Sequence, residues 1–341
     1  MSVDNFDEEE VVGHIRGEAF IELRRVIARG GMGVVYEGDL HGTEGFTKRV
    51  AVKMLRKRWS ENQNFVNLMV AEAKLVAGLV HENIVQMLML GRLPDRRHYV
   101  VMEYVEGLSL HELLWEHTRR GLLLPQPLAI HIASRIARGL SYAHRFCDRK
   151  GQLLHIVHRD VCPSNIMITL EGLSKLIDFG VAKARTMTII GDNWQTGKAA
   201  YMSPEQAGRQ PADARTDIFA LGTVLFEMLA GRAMREVGPE TRAEDFIGRP
   251  VPFDLLPDSV GDELRDILGQ MLAHDPAQRF PSANRLAFRL EEYIYRDGYG
   301  PTIQTIEAYL RELLPHLYRY ERPETEVDWT SASPAACTGC F

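Results

Sequence analysis

The sequence predicts an α+β protein in two lobes, a small β-rich lobe with one helix followed by a larger, mainly helical lobe. Three observations carry that prediction. Between Phe20 and Glu103, short β-branched and aromatic runs alternate with turn signals, and a single stretch, Asn62 to Ala77, has helical spacing. Beyond Gly107 the balance reverses, with Gln126 to Phe146 and Asp217 to Leu229 reading as long apolar-periodic helices. A chain of 341 residues with 45% hydrophobic content is long enough for one large two-lobed domain or two ordinary ones.

Composition excludes several classes of function. A formal charge of −6 with scattered basic residues leaves no positive stripe for nucleic acid. No apolar run approaches the roughly 18 residues of a membrane span. Met1 to Glu10 is acidic and lacks the basic and apolar order of a signal peptide, so the expected location is cytoplasmic. Four cysteines, Cys147, Cys162, Cys337 and Cys340, are too few and too unevenly placed for a disulfide framework. Cys337 and Cys340 form a Cys-x-x-Cys pair without a second pair to complete a zinc site, which leaves them as solvated thiols. Cys147, at a helix end, reads as a packed small hydrophobe.

In chain order, residues 1–18 form an acidic leader without apolar periodicity, expected to be flexible. Phe20 to Arg29 and Val34 to Leu40 read as strands joined by Arg29-Gly30-Gly31-Met32-Gly33. That turn is either an ordinary hairpin or a loop whose bare backbone N–H groups approach phosphate oxygens. Val50-Ala51-Val52-Lys53 is a short strand ending in a cation, and Glu72 falls on the helix that follows, where a lone glutamate is ordinarily solvated. Ile84 to Leu90 and His98 to Glu103 read as two more strands, with Met87, Met89 and Met102 as core packing. Glu103-Tyr104-Val105-Glu106-Gly107 closes the strand-rich part and sets the lobe boundary. Ser109 caps a short amphipathic helix to Thr118. Ile166 to Thr169 and Leu173 to Ile177 are short strands around a Glu171-Gly172 turn. Gly231 stops the helix that Asp217 opens. The large lobe ends near Tyr295, Pro301 to Leu317 supports one more helix, and Glu321 to Phe341 is expected to be disordered.

Two stretches organise the whole chain, His158-Arg159-Asp160-Val161-Cys162-Pro163-Ser164-Asn165 and Asp178-Phe179-Gly180. An Asp able to accept a hydroxyl proton, an Asn five residues on and a further Asp supply a base and two oxygen ligands for metal-assisted phosphoryl transfer. Each triplet alone is weak. Taken in order with the Gly-rich turn, Val-Ala-Val-Lys53, Tyr201-Met202-Ser203-Pro204-Glu205-Gln206, the Asp217 helix and His274 to Pro281, they resemble the protein kinase superfamily over about residues 20–296.

The resemblance implies a kinase domain over 19–296, with lobes at 19–103 and 107–296, and a tail over 297–341. It implies ATP with Mg²⁺, or Mn²⁺, between the lobes. Ala28, Arg29, Gly30, Gly31, Met32 and Gly33 would cover the phosphates, Val35 and Ala51 would line the adenine site, and Met102 would sit at its back. Backbone groups of Glu103 and Val105 would meet the adenine edge. Lys53, braced by Glu72, would hold the phosphates, Asn165 and Asp178 the metal, and Asp160 the acceptor hydroxyl. Asp217 would brace the catalytic loop from behind, and Arg279 would pair with Glu205. Thr186, Thr188 and Thr196 are hydroxyls for autophosphorylation or an upstream kinase, with the Arg159 guanidinium to receive a phosphate. Pro163 points to Ser and Thr acceptors on protein substrates, and Gly-Gly-Met-Gly with Met-Ser-Pro-Glu-Gln is most similar to the bacterial branch.

Three positions depart from the family pattern. Ala28 stands for the first Gly of the loop, Cys162 for a lysine beside the γ-phosphate, and Lys198 for a threonine. Losing one preorganised cation beside a transferring phosphoryl group costs roughly 10² to 10³ in rate, about 3–4 kcal/mol. In the family fold those two positions touch each other and the base, so Lys198 is expected to supply the charge that Cys162 cannot. The competing reading is a pseudokinase that binds ATP or a partner without catalysis. A small-molecule phosphotransferase is disfavoured, because Ser203-Pro204-Glu205 closes an activation segment.

Overall fold

The computed structural model describes residues 13–14, 20–179, 196–238 and 241–319. Thr186, Thr188, Cys337, Cys340 and the acidic leader up to residue 12 lie outside them.

The small lobe is a six-stranded antiparallel sheet. Its strands are β1 (Gly13–His14), β2 (Phe20–Arg29), β3 (Gly33–His41), β4 (Thr47–Leu55), β5 (Met87–Arg92) and β6 (His98–Glu103), in the order β1-β2-β3-β4-β6-β5. A one-turn helix, α1 (Lys57–Ser60), precedes the long helix α2 (Gln63–Val76). Asn62 starts α2 by accepting the Phe65 amide on its side chain, which satisfies one of the free N–H groups of the first turn. Phe65 and Met69 then bury one face of α2 against Leu55, with Met32 and Trp59 packed alongside.

A three-stranded antiparallel sheet opens the large lobe, built from β7 (Gly107–Ser109), β8 (Ile166–Thr169) and β9 (Ser174–Leu176). The helices are α3 (Leu110–Arg120), α4 (Gln126–His144), α5 (Pro204–Ala207), α6 (Arg215–Ala230), α7 (Asp262–Met271), α8 (Ala283–Tyr295) and α9 (Ile303–Leu313). Ser109 caps α3 in a reciprocal box with Glu112, and α3 and α6 both end on glycines in the left-handed conformation, Gly121 and Gly231. Ile136 and Leu140 of α4, Leu221 and Leu225 of α6 and Leu286 and Leu290 of α8 form one core. Each such side chain contributes about 1.5–3 kcal/mol on burial. No helix among the described residues is long and apolar enough to cross a membrane.

Several features differ from the sequence expectation. The strand read over Ile84 to Leu90 begins only at Met87. The residues before it are drawn to the large lobe, where Leu176 N donates to Asn83 O and Val85 N donates to Leu176 O, both at 2.9 Å. Met87 and Met102 are half-buried neighbours on β5 and β6, not core. The helix after Gln126 stops at His144 because Arg145 leaves helical geometry, and Cys147 beyond it is exposed. Helix α9 puts Ile306, Leu310 and Leu313 into the same core as α4 and α6, so packing continues past residue 296.

The turn between β8 and β9 is locked under α9. Gly172 has φ 89°, and a Cβ there would overlap the carbonyl oxygen of Ile303. Tyr318 Oη donates to Leu170 O at 2.8 Å on the same turn. A Gly172→Ala change combines left-handed strain with a backbone collision, and is expected to destabilise the fold by on the order of 3 kcal/mol. Thermal unfolding followed by circular dichroism checks this, and an unchanged midpoint would contradict it.

Candidate active site

The loop from His158 to Asn165 is held from below by α6. Asp217 is fully buried, and its carboxylate accepts His158 N at 2.8 Å, Arg159 N at 2.7 Å and His144 Nε2 at 2.8 Å. Burial alone would push that carboxyl up, but the bond from His144 and the backbone N–H groups outweigh it and hold it below the usual carboxylate range. The two amides matter because Arg159 sits at φ 64°, a left-handed conformation that costs a non-glycine roughly 1–2 kcal/mol. Asp217 therefore fixes the loop in a shape it would not keep alone. Gln206 Nε2 adds a bond to Arg159 O at 3.0 Å.

Asp160 stands at the centre of the site. Asn165 Nδ2 donates to both Asp160 O (2.7 Å) and Asp160 Oδ2 (2.8 Å), and Lys198 Nζ donates to Asp160 Oδ2 at 2.8 Å. The expected contact between Lys198 and the base is thus present. Cys162 is buried, with Sγ 3.3 Å from Ser164 Oγ. With its two amide hydrogens turned to Asp160, Asn165 leaves Oδ1 as its outward acceptor. His158, which the sequence singled out only as part of the triplet, ties this loop to the next one. Its Nδ1 lies 3.2 Å from Asp160 N, its Nε2 lies 3.0 Å from Ile177 O, and its ring meets Phe179 edge-on at 4.7 Å.

Asp178 adopts φ 52° and its carboxylate accepts Lys53 Nζ at 2.6 Å, an ion pair across the two lobes. Glu72, expected to brace Lys53, lies on α2 with its side chain outside those described.

Strand register gathers the remaining residues. Ala28 pairs with Val35, Val35 with Lys53, and Ala51 with Met102. Cross-strand partners and residues two apart along a strand share a face, so Val35, Ala51, Lys53 and Met102 line one side of the sheet, with Ala28 opposite Val35 at its edge. The Lys53–Asp178 pair marks that side as the one facing the large lobe. At the boundary, the Glu103 amide donates to Gln86 O at 2.9 Å. Among the described residues Val105 makes no backbone hydrogen bond, which leaves its N–H and C=O available to a nucleobase edge.

The Gly-rich turn is closed by Gly30 N donating to Gly33 O at 2.9 Å. Gly33 serves the sheet: a Cβ there would overlap the Met54 carbonyl on β4. Side chains flanking and within α1 grip the turn from outside, with Arg58 Nη2 and Trp59 Nε1 donating to Gly31 O at 3.0 and 3.2 Å and Arg56 Nε to Gly30 O at 3.3 Å. In a trans peptide the N–H opposes the C=O, so these bonds turn the following N–H groups of Gly31 and Met32 away from α1. No sequence signal announced that grip.

Residues 21–288 match the family model described as "Protein kinase domain". The chain is 35% identical to the tyrosine-protein kinase MasK of Myxococcus xanthus, covering 85% of this chain and 45% of MasK. It is 33% identical to the serine/threonine-protein kinase PknA of Corynebacterium glutamicum, covering 82% and 58%, and 34% identical to PrkC of Bacillus subtilis, covering 77% and 38%. The chain therefore spans about half the length of these curated relatives. In fold it is similar to the kinase domain of Mycobacterium tuberculosis PknI, with a TM-score of 0.61 at 24% identity, covering 80% of this chain and 95% of that one.

Proposed function

Given that the chain belongs to the protein kinase family, in its bacterial Hanks-type serine/threonine branch, we propose that it transfers the γ-phosphoryl of ATP to Ser and Thr hydroxyls of protein substrates. The observation that carries this reading is the clustering of Asp160, Lys198 and Asn165 within hydrogen-bond distance, beside a Lys53–Asp178 pair that joins the two lobes. Asp160 takes the proton of the acceptor hydroxyl while that oxygen bonds to the γ-phosphorus and ADP departs. Lys198 keeps Asp160 oriented and adds the positive charge that the buried thiol of Cys162 lacks. Lys53, braced by Glu72, holds the phosphates under Ala28 to Gly33, and Val35, Ala51 and Met102 shape the adenine site against the backbone of Glu103 and Val105.

One carboxylate and one amide oxygen fit a hard divalent cation that takes its other ligands from phosphates and water, so Asp178 and Asn165 would hold Mg²⁺, or Mn²⁺. When bound, the cation neutralises charge on the phosphates. Arg159 Nε is buried without a hydrogen-bond partner among the described residues, which supports its role as receiver of a phosphate placed on Thr186, Thr188 or Thr196. Thr186 and Thr188 lie outside the described residues, and of Thr196 the backbone alone is described. We place the activity in cytoplasmic signal transduction.

The first test is the identity of the acceptor. Incubation with labelled ATP and Mg²⁺, followed by acid hydrolysis, is expected to yield labelled phosphoserine and phosphothreonine. Phosphotyrosine alone would contradict the acceptor reading drawn from Pro163 and match the acceptor named for the tyrosine-protein kinase MasK.

A further inference from the structure

Next to the segment that carries Lys198, a cavity of about 370 Å³ opens among Pro204, Phe219, Phe246 and Leu255, with Arg235 and Arg249 on its wall. The Arg235 guanidinium lies between two rings, 5.0 Å from the centroid of Phe219 and 5.1 Å from that of Phe246. Its Nη1 donates to Met202 O at 2.6 Å. The Arg249 guanidinium approaches the same Phe246 ring at 5.4 Å and is exposed. Among the described residues no carboxylate pairs with either arginine, and Glu236 at the rim is bound by Arg232 at 2.9 Å.

A half-buried cation beside a second cation, compensated among the described residues by carbonyls and aromatic faces, is an incomplete electrostatic arrangement. Burial and the neighbouring Arg249 charge pull Arg235 down to about 10. An anion placed between the two guanidiniums relieves both effects, and the planar Arg fork suits a carboxylate or a phosphate. The surrounding prolines, phenylalanines and Leu255 suit an apolar neighbour of that anion.

We propose that this cavity docks an acidic segment of the protein substrate, with a Glu, Asp or phosphoserine side chain between Arg235 and Arg249 and an apolar residue against the ring walls. This deepens the protein kinase reading and rests on it. Because Arg235 also holds the Met202 carbonyl, a docked segment abuts the same stretch that sets Lys198 on Asp160. Docking here would select acidic substrates close to the transfer site.

The test is fluorescence anisotropy with the full chain and three labelled decapeptides, one rich in Glu with a central Leu, its Gln counterpart, and one with phosphoserine replacing two Glu. The Glu peptide is expected to bind at least about tenfold more tightly than the Gln peptide, and more weakly as salt rises. Arg249→Glu, a surface change, is expected to remove that preference, and Arg235→Lys to reduce it. Tighter binding of the phosphoserine peptide would assign the site to phosphorylated substrates, and equal binding to carboxylates. Equal binding of Glu and Gln peptides, or an unaltered preference in Arg249→Glu, would overturn the proposal. A concentration-dependent dimer lost in Arg249→Glu, with no peptide bound, would overturn it in favour of a contact between copies. Label transfer measured on the same preparations separates the two readings: transfer without acidic preference removes only the docking site, and preference without transfer removes only the kinase.

Discussion

Lys198→Ala is expected to lower kcat by roughly 10² to 10³, equivalent to about 3–4 kcal/mol, with little change in the KM for ATP. The variant removes the donor at 2.8 Å from Asp160 Oδ2, an oxygen to which Asn165 Nδ2 also donates at 2.8 Å. Position 162 holds a buried thiol, which supplies no such charge. A lysine restored from that side gives the sharper check: Cys162→Lys in the Lys198→Ala background is expected to recover part of the loss. Full activity of Lys198→Ala in a labelled-ATP assay would contradict the exchange of roles between the two positions.

Asp217→Ala is expected to cost about 3–5 kcal/mol of stability. The change strips the acceptor from two buried N–H groups, each worth about 1–3 kcal/mol when left unsatisfied, and releases a left-handed Arg159. At roughly 2–4 °C per kcal/mol, the midpoint should fall by about 6 to 20 °C. Phosphotransfer should fall further than unfolding explains, since the base rides on this loop. The pH dependence has a definite sign. A carboxylate depressed on folding contributes stability that is fully present above its unfolded pKa and is lost as pH falls through the lower folded value. Wild type should therefore lose this contribution in acid below the usual carboxylate range, and Asp217→Ala should show a flatter acid limb. Equal midpoints for the two proteins at neutral pH would contradict this role.

How much of this was legible depends on whether a residue's partner is local. The Asn62 and Ser109 caps, the Gly231 stop and the strands flanking Gly30 are set by neighbours within a few positions, so their pattern is written in order along the chain. Asp160, Asn165 and Asp178 stand out by spacing within one short stretch, and the two-residue step from Ala51 to Lys53 puts both on one face of a strand. Contacts across the fold were not legible. Asn83 and Val85 pair with Leu176 in the other lobe, which no periodicity reveals, and Gly33 is demanded by the Met54 carbonyl on a neighbouring strand. Cys147 reads as an apolar helix end, yet the helix has already stopped at His144. The setting of Arg235 leaves no trace in sequence, because its ring and carbonyl contacts come from Phe219, Phe246 and Met202, far away along the chain.

Transfer of label from γ-labelled ATP to protein, compared between wild type and Asp178→Ala with and without Mg²⁺, tests most directly whether these residues form a working phosphotransfer centre. The expected result is Mg²⁺-dependent labelling by wild type and background labelling by a folded Asp178→Ala protein. Labelling by Asp178→Ala equal to that of wild type, or none by either, would contradict it.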